Sequence, residues 1–321
     1  MKIETIDINH TAYLNLVKQY GGIFHQPEWL KLFDDEQMRI AGIFDNDHKI
    51  IGTFYFSLSK KLFFKHLKTT PFNPNCGLIF YNRTSNKSNA LSFEKKIHHH
   101  IINYLNQQKA HLITLALPCE ITDTQPYFWN NFKVVPFYTY MIDLKQDENQ
   151  LLTSCSAQRR NDLKKANKEG IVALQTYDYN EVLNLVLKTF KRKSTAVNQT
   201  LLHKILFSFA NEHNSFAYVA YQNGIPIAAS FCIHDSQKAY YLLGGYDDKA
   251  GSSSGGALSL WNCISHAKQA GLQKFDFEGS MIKEVEKYMR GFGPELYPCY
   301  MITRAILPLE LALKFIVRNR F

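Results

Sequence analysis

Ala239-Tyr-Tyr-Leu-Leu-Gly244, then Gly251-Ser-Ser-Ser-Gly-Gly-Ala257, then Leu258-Ser-Leu-Trp-Asn-Cys-Ile-Ser-His-Ala267 is the stretch on which the fold turns. The first run is apolar and reads as a strand. In the last, Leu258, Trp261, Ile264 and Ala267 recur every three residues. Leu260 and Cys263 widen that stripe, as on a buried helix. A Gly/Ser turn therefore carries a strand into a helix. The first amides of a helix lack internal partners and bear partial positive charge. Glycines let the backbone approach a phosphate, and serine hydroxyls add donors. Gly251, Ser252, Ser253, Ser254, Gly255, Gly256 and Ala257 are thus the expected phosphate cradle. The competing reading is a flexible surface loop, the usual fate of Gly/Ser runs.

Working outward, the same order of elements occurs twice. Residues 39–45, a turn at Asn46-Asp47-His48, and residues 49–56 read as strand, turn, strand. Residues 216–221, a turn at Gln222-Asn223-Gly224, and residues 225–231 read the same way, with Asn-Gly as a strong hairpin signal. Each hairpin is followed by a strand (78–81; 239–244), a helix (92–108; 257–270) and another strand (112–117; 274–277). This predicts an α/β fold of two similar halves, 1–150 and 151–321, each a mixed sheet flanked by helices. The polar segment 143–149 marks the boundary, and helices are expected at 157–169, 180–193 and 199–213. The connection equivalent to the Gly/Ser turn, 82–91, has no glycine. Only the second half looks built for a phosphate-bearing donor.

The bulk numbers agree with this frame. The chain has 321 residues, 45% hydrophobic and 20% charged, enough for two ordinary cores. A formal net charge of +9 favours anionic partners, whether phosphates, nucleic acid or a lipid surface. None of the six cysteines has CxxC spacing, so zinc and a redox dithiol are disfavoured, and most read as small buried hydrophobes. With reduced-looking cysteines, no basic-then-apolar leader and no long apolar run, a cytoplasmic location is expected. His98-His99-His100 cannot face one way on a helix, so no metal site is expected there. No Walker or GxGxxG motif is present.

Ser252-Ser-Ser-Gly255-Gly256-Ala257 follows the Q/R-x-x-G-x-G/A spacing of GNAT acyltransferases, with serine at its first position. Two such halves in tandem resemble the Fem-like proteins, whose members transfer amino acids from aminoacyl-tRNA to peptidoglycan precursors. Phe24-His-Gln-Pro-Glu-Trp29 resembles the opening helix of those chains. Residues 156–170, with Arg159, Arg160, Lys164, Lys165 and Lys168, resemble their basic helix. Phe275-Asp-Phe-Glu-Gly-Ser280 and Tyr288-Met-Arg-Gly-Phe-Gly293 resemble their last strand and helix. The resemblance implies an acyltransferase with no tightly bound cofactor. Its co-substrate would be acyl-CoA or aminoacyl-tRNA, and its acceptor an amine on a small molecule or a cell-wall precursor. The first half would serve the acceptor. A non-catalytic double-GNAT protein that binds an anionic glycan or a lipid-linked precursor is the alternative.

Glu278 follows an expected strand end, where open α/β sheets place ligands, and is the candidate base or amine-binding group. A capping or surface role is its plain alternative. By the resemblance, Tyr288 is the candidate proton donor to the leaving group; otherwise it is a core tyrosine. Arg160 and Lys164, at i and i+4, are candidate substrate contacts with Trp29 and Asp276. Asp276, between Phe275 and Phe277, is expected to be buried and hydrogen-bonded. The basic residues also read as a plain solvated face, extended by Lys188, Lys191, Arg192 and Lys193 and by Lys60, Lys61, Lys65 and Lys68. The tail 309–321 is amphipathic and basic. A helix docked on the core is expected there, with peripheral membrane contact as the alternative.

Overall fold

The computed structural model describes the chain except Arg83, Thr195, Ser280 and residues 317–321. It forms two compact units: Met1–Phe137 with Pro298–Phe321, and Tyr138–Tyr297.

The chain begins with β1 (Lys2–Ile6), α1 (Thr11–Tyr20), α2 (Pro27–Leu30), β2 (Met38–Phe44), β3 (Ile50–Lys61) and β4 (Phe64–Lys68). Then come β5 (Ile79–Phe80), α3 (Lys87–Gln107), β6 (Leu112–Ala116), α4 (Gln125–Trp129) and β7 (Lys133–Asp143). Next are α5 (Glu148–Ser154), α6 (Ala157–Lys168), β8 (Val172–Thr176), α7 (Tyr179–Arg192) and α8 (Gln199–Lys204). β9 (Ser215–Gln222), β10 (Ile225–His234), β11 (Lys238–Tyr246), α9 (Ser254–Gln269) and β12 (Lys274–Asp276) follow. α10 (Lys283–Arg290), β13 (Glu295–Ala305) and α11 (Leu307–Ile316) complete it.

In the first unit the strand order is β1-β2-β3-β4-β6-β13, with β5 added to β3. In the second it is β8-β9-β10-β11-β12-β7. The orders correspond strand for strand. Each sheet has one parallel pair, β4 with β6 and β11 with β12, and a parallel pair needs a long crossover. α3 and α9 supply it. The fold is therefore a duplicated mixed α/β fold, as the repeat predicts.

The third strand of the first copy lies elsewhere than expected. Residues 78–81 contribute only Ile79–Phe80, which pairs with β3, while β4 occupies the third place. The β3–β4 connection is Leu62-Phe63, with no glycine or asparagine to announce it.

Side-chain caps fix five of the helix starts, those of α3, α5, α6, α7 and α8. Asn86 accepts from the Asn89 amide ahead of α3, and Ser156 from the Arg159 amide ahead of α6. In the first core Phe54, Phe56 and Leu67 pack under Ile97, Ile101 and Leu105 of α3. In the second, Leu260, Cys263, Ile264 and Ala267 of α9 pack on Phe216, Cys232 and Phe275. Leu258 and Trp261, on the edge of the predicted stripe, are half-buried.

Two expectations are corrected. Cys76, Cys155, Cys232 and Cys263 are buried free thiols, as expected of most of the six, but Cys119 and Cys299 form a disulfide, with Cα atoms 4.3 Å apart. Local spacing gave no signal because the partners lie 180 residues apart. They meet because β13 returns to pair with β6. The disulfide removes the cysteine argument for a reducing compartment. Among the described residues, no helix is long and apolar enough to cross a membrane. The tail is the second correction. α11 lies against the first unit through half-buried Leu309, Glu310 and Leu313 but buries none of its residues in a core. Val317, Arg318 and Arg320 lie outside the described residues.

Candidate functional site

β11 pairs with β12 only from Lys238 to Tyr240, yet it runs on to Tyr246. Its other edge follows β10 across a bulge: Cys232 faces Tyr241 and Phe231 faces Leu243, which leaves Leu242 as the extra residue. A bulge bends a strand and re-aims its side chains. Here it puts Tyr241 and Gly244 on one face, where a Cβ on Gly244 would strike the Tyr241 hydroxyl. Gly245 faces α7, where a Cβ would lie 2.5 Å from the Leu185 carbonyl carbon. The strand thus loses its β12 partner where its glycines permit close approach.

A cavity of about 450 Å³ opens at this place. Ser230, Tyr241, Gly244 and Gly245 line it from the sheet, and Ser253 and Gly256 from the start of α9. Arg192 and Lys193 reach it from the end of α7, Arg159 and Asp162 from α6, and Glu284 and Tyr288 from α10. The α9 entrance is open. Ser253 makes no side-chain cap, and no described acceptor takes the Gly256 amide. A Cβ on Gly256 would meet only the Tyr288 hydroxyl, at 3.6 Å. Helix polarity and the nearby cations make this end attractive to an anion.

The remaining turn residues point elsewhere. Ser254 donates to Glu169 Oε2 at 3.2 Å, and its hydroxyl lies 2.8 Å from that of Ser252. Bonds from Ser252 and Ser254 hold Glu169 below the ordinary carboxylate range. The Ser252 amide donates to Gln222, and Gly251 packs against Gln222 and Ile227. A Cβ on Gly255 would lie 2.6 Å from Ile227, and Ala257 is in the core. An internal carboxylate therefore already holds two of the turn's three hydroxyls.

Tyr288 makes no hydrogen bond among the described residues. The Arg159 guanidinium sits 4.7 Å from its ring centroid and pairs with Asp162 at 2.9 Å. Burial raises the Tyr288 pKa, partly opposed by Arg159. Burial also pushes Tyr241 well above its ordinary value, and Tyr288 adds to this. Both phenols hold their protons at neutral pH, so each can donate. Ser230 lies 3.0 Å from Ser259, hydroxyl to hydroxyl. Tyr241 and Ser230 are the residues that the sequence reading did not single out. The one available signal was the Tyr240-Tyr241 and Gly244-Gly245 pairing within a single strand.

Glu278 does not line this cavity. It sits just past β12 with φ of 59°, a backbone region that non-glycine residues seldom occupy. The residue is half-buried, but its Oε1 is shielded from solvent and has no hydrogen-bond partner among the described residues. Burial, then the Asp276 carboxylate, pushes its pKa well up, and Lys238 acts against them. Asp276 is buried and accepts from Thr139 Oγ1 at 2.7 Å and from the Glu278 amide at 3.0 Å. Arg160 donates to the carbonyls of Thr153 and Cys155, which ties α6 to the end of α5. Lys164 is exposed. Trp29 is fully buried in the first unit, and its indole N–H donates to Asn73 at 2.9 Å. That leaves Trp29 no surface for a substrate.

A sequence profile described as an acetyltransferase (GNAT) domain matches residues 154–288, the part of the second unit that carries the cavity. Over both units the fold is similar to the crystal structure of FemX: TM-score 0.66 at 12% identity, over 98% of this chain and 100% of that one. This chain has a tandem GNAT fold. In this it resembles the Fem-like proteins. The tandem GNAT fold is also similar to L-PGS from Bacillus licheniformis, with TM-score 0.58 at 12% identity over 98% of each chain. A tandem GNAT protein of the clavulanic acid biosynthesis pathway gives TM-score 0.53 at 9% identity, over 94% of this chain and 97% of that one. No curated protein matches the chain in sequence.

Proposed function

We propose that the protein transfers an acyl or aminoacyl group from a phosphate-bearing donor to an amine. One observation carries this reading. The cavity joins an unpaired strand edge, an uncapped helix start flanked by cations, and two protonated phenols. A donor phosphate fits at Ser253 and Gly256, with Arg192 and Lys193 neutralising its charge. An extended amide-bearing arm fits along the free edge of β11. The reacting carbonyl then lies near Tyr241 and Tyr288.

The acceptor amine attacks that carbonyl, and the carbon–sulfur or carbon–oxygen bond of the donor breaks. The leaving thiolate or alkoxide takes a proton from Tyr288, with Tyr241 beside it, and Tyr288 regains one from the nitrogen of the new amide. Glu278, outside the cavity lining, is proposed as the group that takes the proton of the acceptor ammonium before the amine reaches the carbonyl. An oxygen with no hydrogen-bond partner among the described residues supports that role. The first unit is proposed to serve the acceptor, an amine on a cell-wall or envelope precursor. Acyl-CoA and aminoacyl-tRNA are the rival donors.

Calorimetry with acetyl-CoA, CoA and a charged tRNA separates them. One donor should bind wild type and not Gly256→Val. Gly255 is the wrong position to test, because its replacement would push on Ile227. A second reading rests on Glu169, which already occupies Ser252 and Ser254. It makes the protein a non-catalytic binder of an anionic glycan or lipid-linked precursor. Binding of such a ligand, with no binding of any donor, would overturn the transferase reading.

A further inference from the structure

At one end of the first sheet three chain segments come together. β4 begins there, parallel β6 begins beside it, and β13 ends there, with Ala305 opposite Leu112. The β3–β4 tip therefore lies at the same end as the start of α11. His111 links them: its carbonyl accepts from the Ile306 amide, its Nδ1 accepts from the Lys65 amide at 3.1 Å, and its ring stacks on Phe64.

The apolar side chains at this end face outward. Leu62 is 84% exposed and Phe63 91% exposed. Leu62 also holds a φ of 53°, an uncommon backbone for a bulky residue. A turn chosen for folding alone would place glycine or asparagine there. In α11, Glu310 pairs with Lys133 at 3.2 Å and with Lys314 at 3.3 Å, which fixes its polar side. Leu307, Leu311 and Phe315, at i, i+4 and i+8, make an exposed stripe; Leu307 is 70% and Phe315 89% exposed. Lone exposed apolar residues are ordinary, but two elements that start from the same end of one sheet and both expose theirs mark an interaction surface.

Charge decides the partner. Lys60 and Lys65 stand directly opposite each other at the base of the tip. Like charges in that position oppose pairing unless an anion lies over them. Lys109 is exposed next to Gln108, whose carbonyl accepts from Lys65 Nζ. Arg39 and Lys60 both act to lower the Lys65 pKa, behind burial, which places these cations close together.

We propose that the β3–β4 tip and the outer face of α11 together dock the first unit on an anionic phospholipid surface. Leu62, Phe63 and Phe315 enter the headgroup boundary while the lysines meet lipid phosphates. Reversible docking of this kind needs two signals, apolar insertion and basic charge, and both are present. A second copy of the chain fits less well. A two-fold contact would set this lysine-rimmed patch against itself.

The test is co-sedimentation of the full chain with vesicles of phosphatidylcholine, with or without phosphatidylglycerol. Wild type should bind the phosphatidylglycerol vesicles, and less so at high salt. Leu62→Ser with Phe63→Ser should lower partitioning on the order of tenfold or more, and Phe315→Ser by less. Lys60→Glu should weaken binding to the anionic vesicles alone. These side chains are exposed, so an unchanged thermal midpoint serves as the folding control. Equal binding to both vesicles, or unchanged binding by the double variant, overturns the proposal. So does a wild-type dimer that the double variant turns into a monomer, because a second copy then covers the face.

Discussion

In the first unit β4 is a five-residue strand, after which the chain closes over β6: the Thr69 amide donates to Thr114 and the Cys76 amide to Ala116. In the second, β11 runs nine residues, bulges at Leu242 and leaves its β12-side edge open from Tyr241 onward. The two crossover helices differ in the same sense. α3 is capped by its own Asn86, whereas Ser253 ahead of α9 makes no side-chain cap and two glycines follow in the first turn. One duplicated topology has thus been finished in two ways, closed in one copy and open in the other. The strand order builds both units. The bulge, the glycines and the missing cap make one of them a receptor.

The largest effect expected from breaking this contrast is at Gly256. Gly256→Val fills the open helix start, and donor affinity should fall roughly hundredfold, since small misplacements near a bound ligand can cost that much. Titration calorimetry reads it. Next, Tyr288→Phe should lower turnover roughly hundredfold with donor affinity unchanged, the ordinary cost of losing a positioned proton donor. A fall in affinity equal to the fall in turnover would instead make Tyr288 a packing residue.

Reducing the Cys119–Cys299 bond should destabilise the first unit by about 2–4 kcal/mol. Donor binding in the second unit should survive this, which denaturant titration and calorimetry in reductant can show together.

Glu278→Gln should stabilise the protein at neutral and higher pH, because the amide fills the same site with no charge to desolvate or to repel Asp276. The pH dependence has a definite sign. The pKa of Glu278 is raised in the fold, so between its unfolded and folded values the unfolded chain holds fewer protons than the native one. Wild type should therefore lose stability as pH rises from the ordinary carboxylate pKa to the folded value, with no penalty below that window. Thermal midpoints of the two proteins should diverge with rising pH. Parallel curves would mean that Glu278 ionises normally. The smallest effect is in the closed copy, where Asn86→Ala should cost about 1 kcal/mol and leave donor affinity untouched.

Much of this contrast was legible in the sequence. The paired hairpins, the two crossover helices and the absence of glycine from 82–91 all follow from patterns within a few tens of residues. What stayed hidden depends on distant segments. β7 and β13 each close a sheet by pairing with a strand far along the chain, and the disulfide exists only because of that return. The Leu62-Phe63 turn could not be read because its residues serve its surroundings rather than its backbone. At the candidate site, the turn was visible but its division of labour was not. Ser252 and Ser254 look like phosphate donors until Glu169 arrives from α6. Tyr241 looks like a core tyrosine until the Leu242 bulge turns it toward the cavity.

Hydrogen exchange of the intact chain, with and without a saturating donor, tests the central claim most directly. Acetyl-CoA and a charged tRNA are the donors to try. Protection should appear at residues 241–246 and 253–257, and be absent from 69–76 and 86–89. Protection at the closed joint of the first unit instead, or at neither joint with either donor, would contradict it.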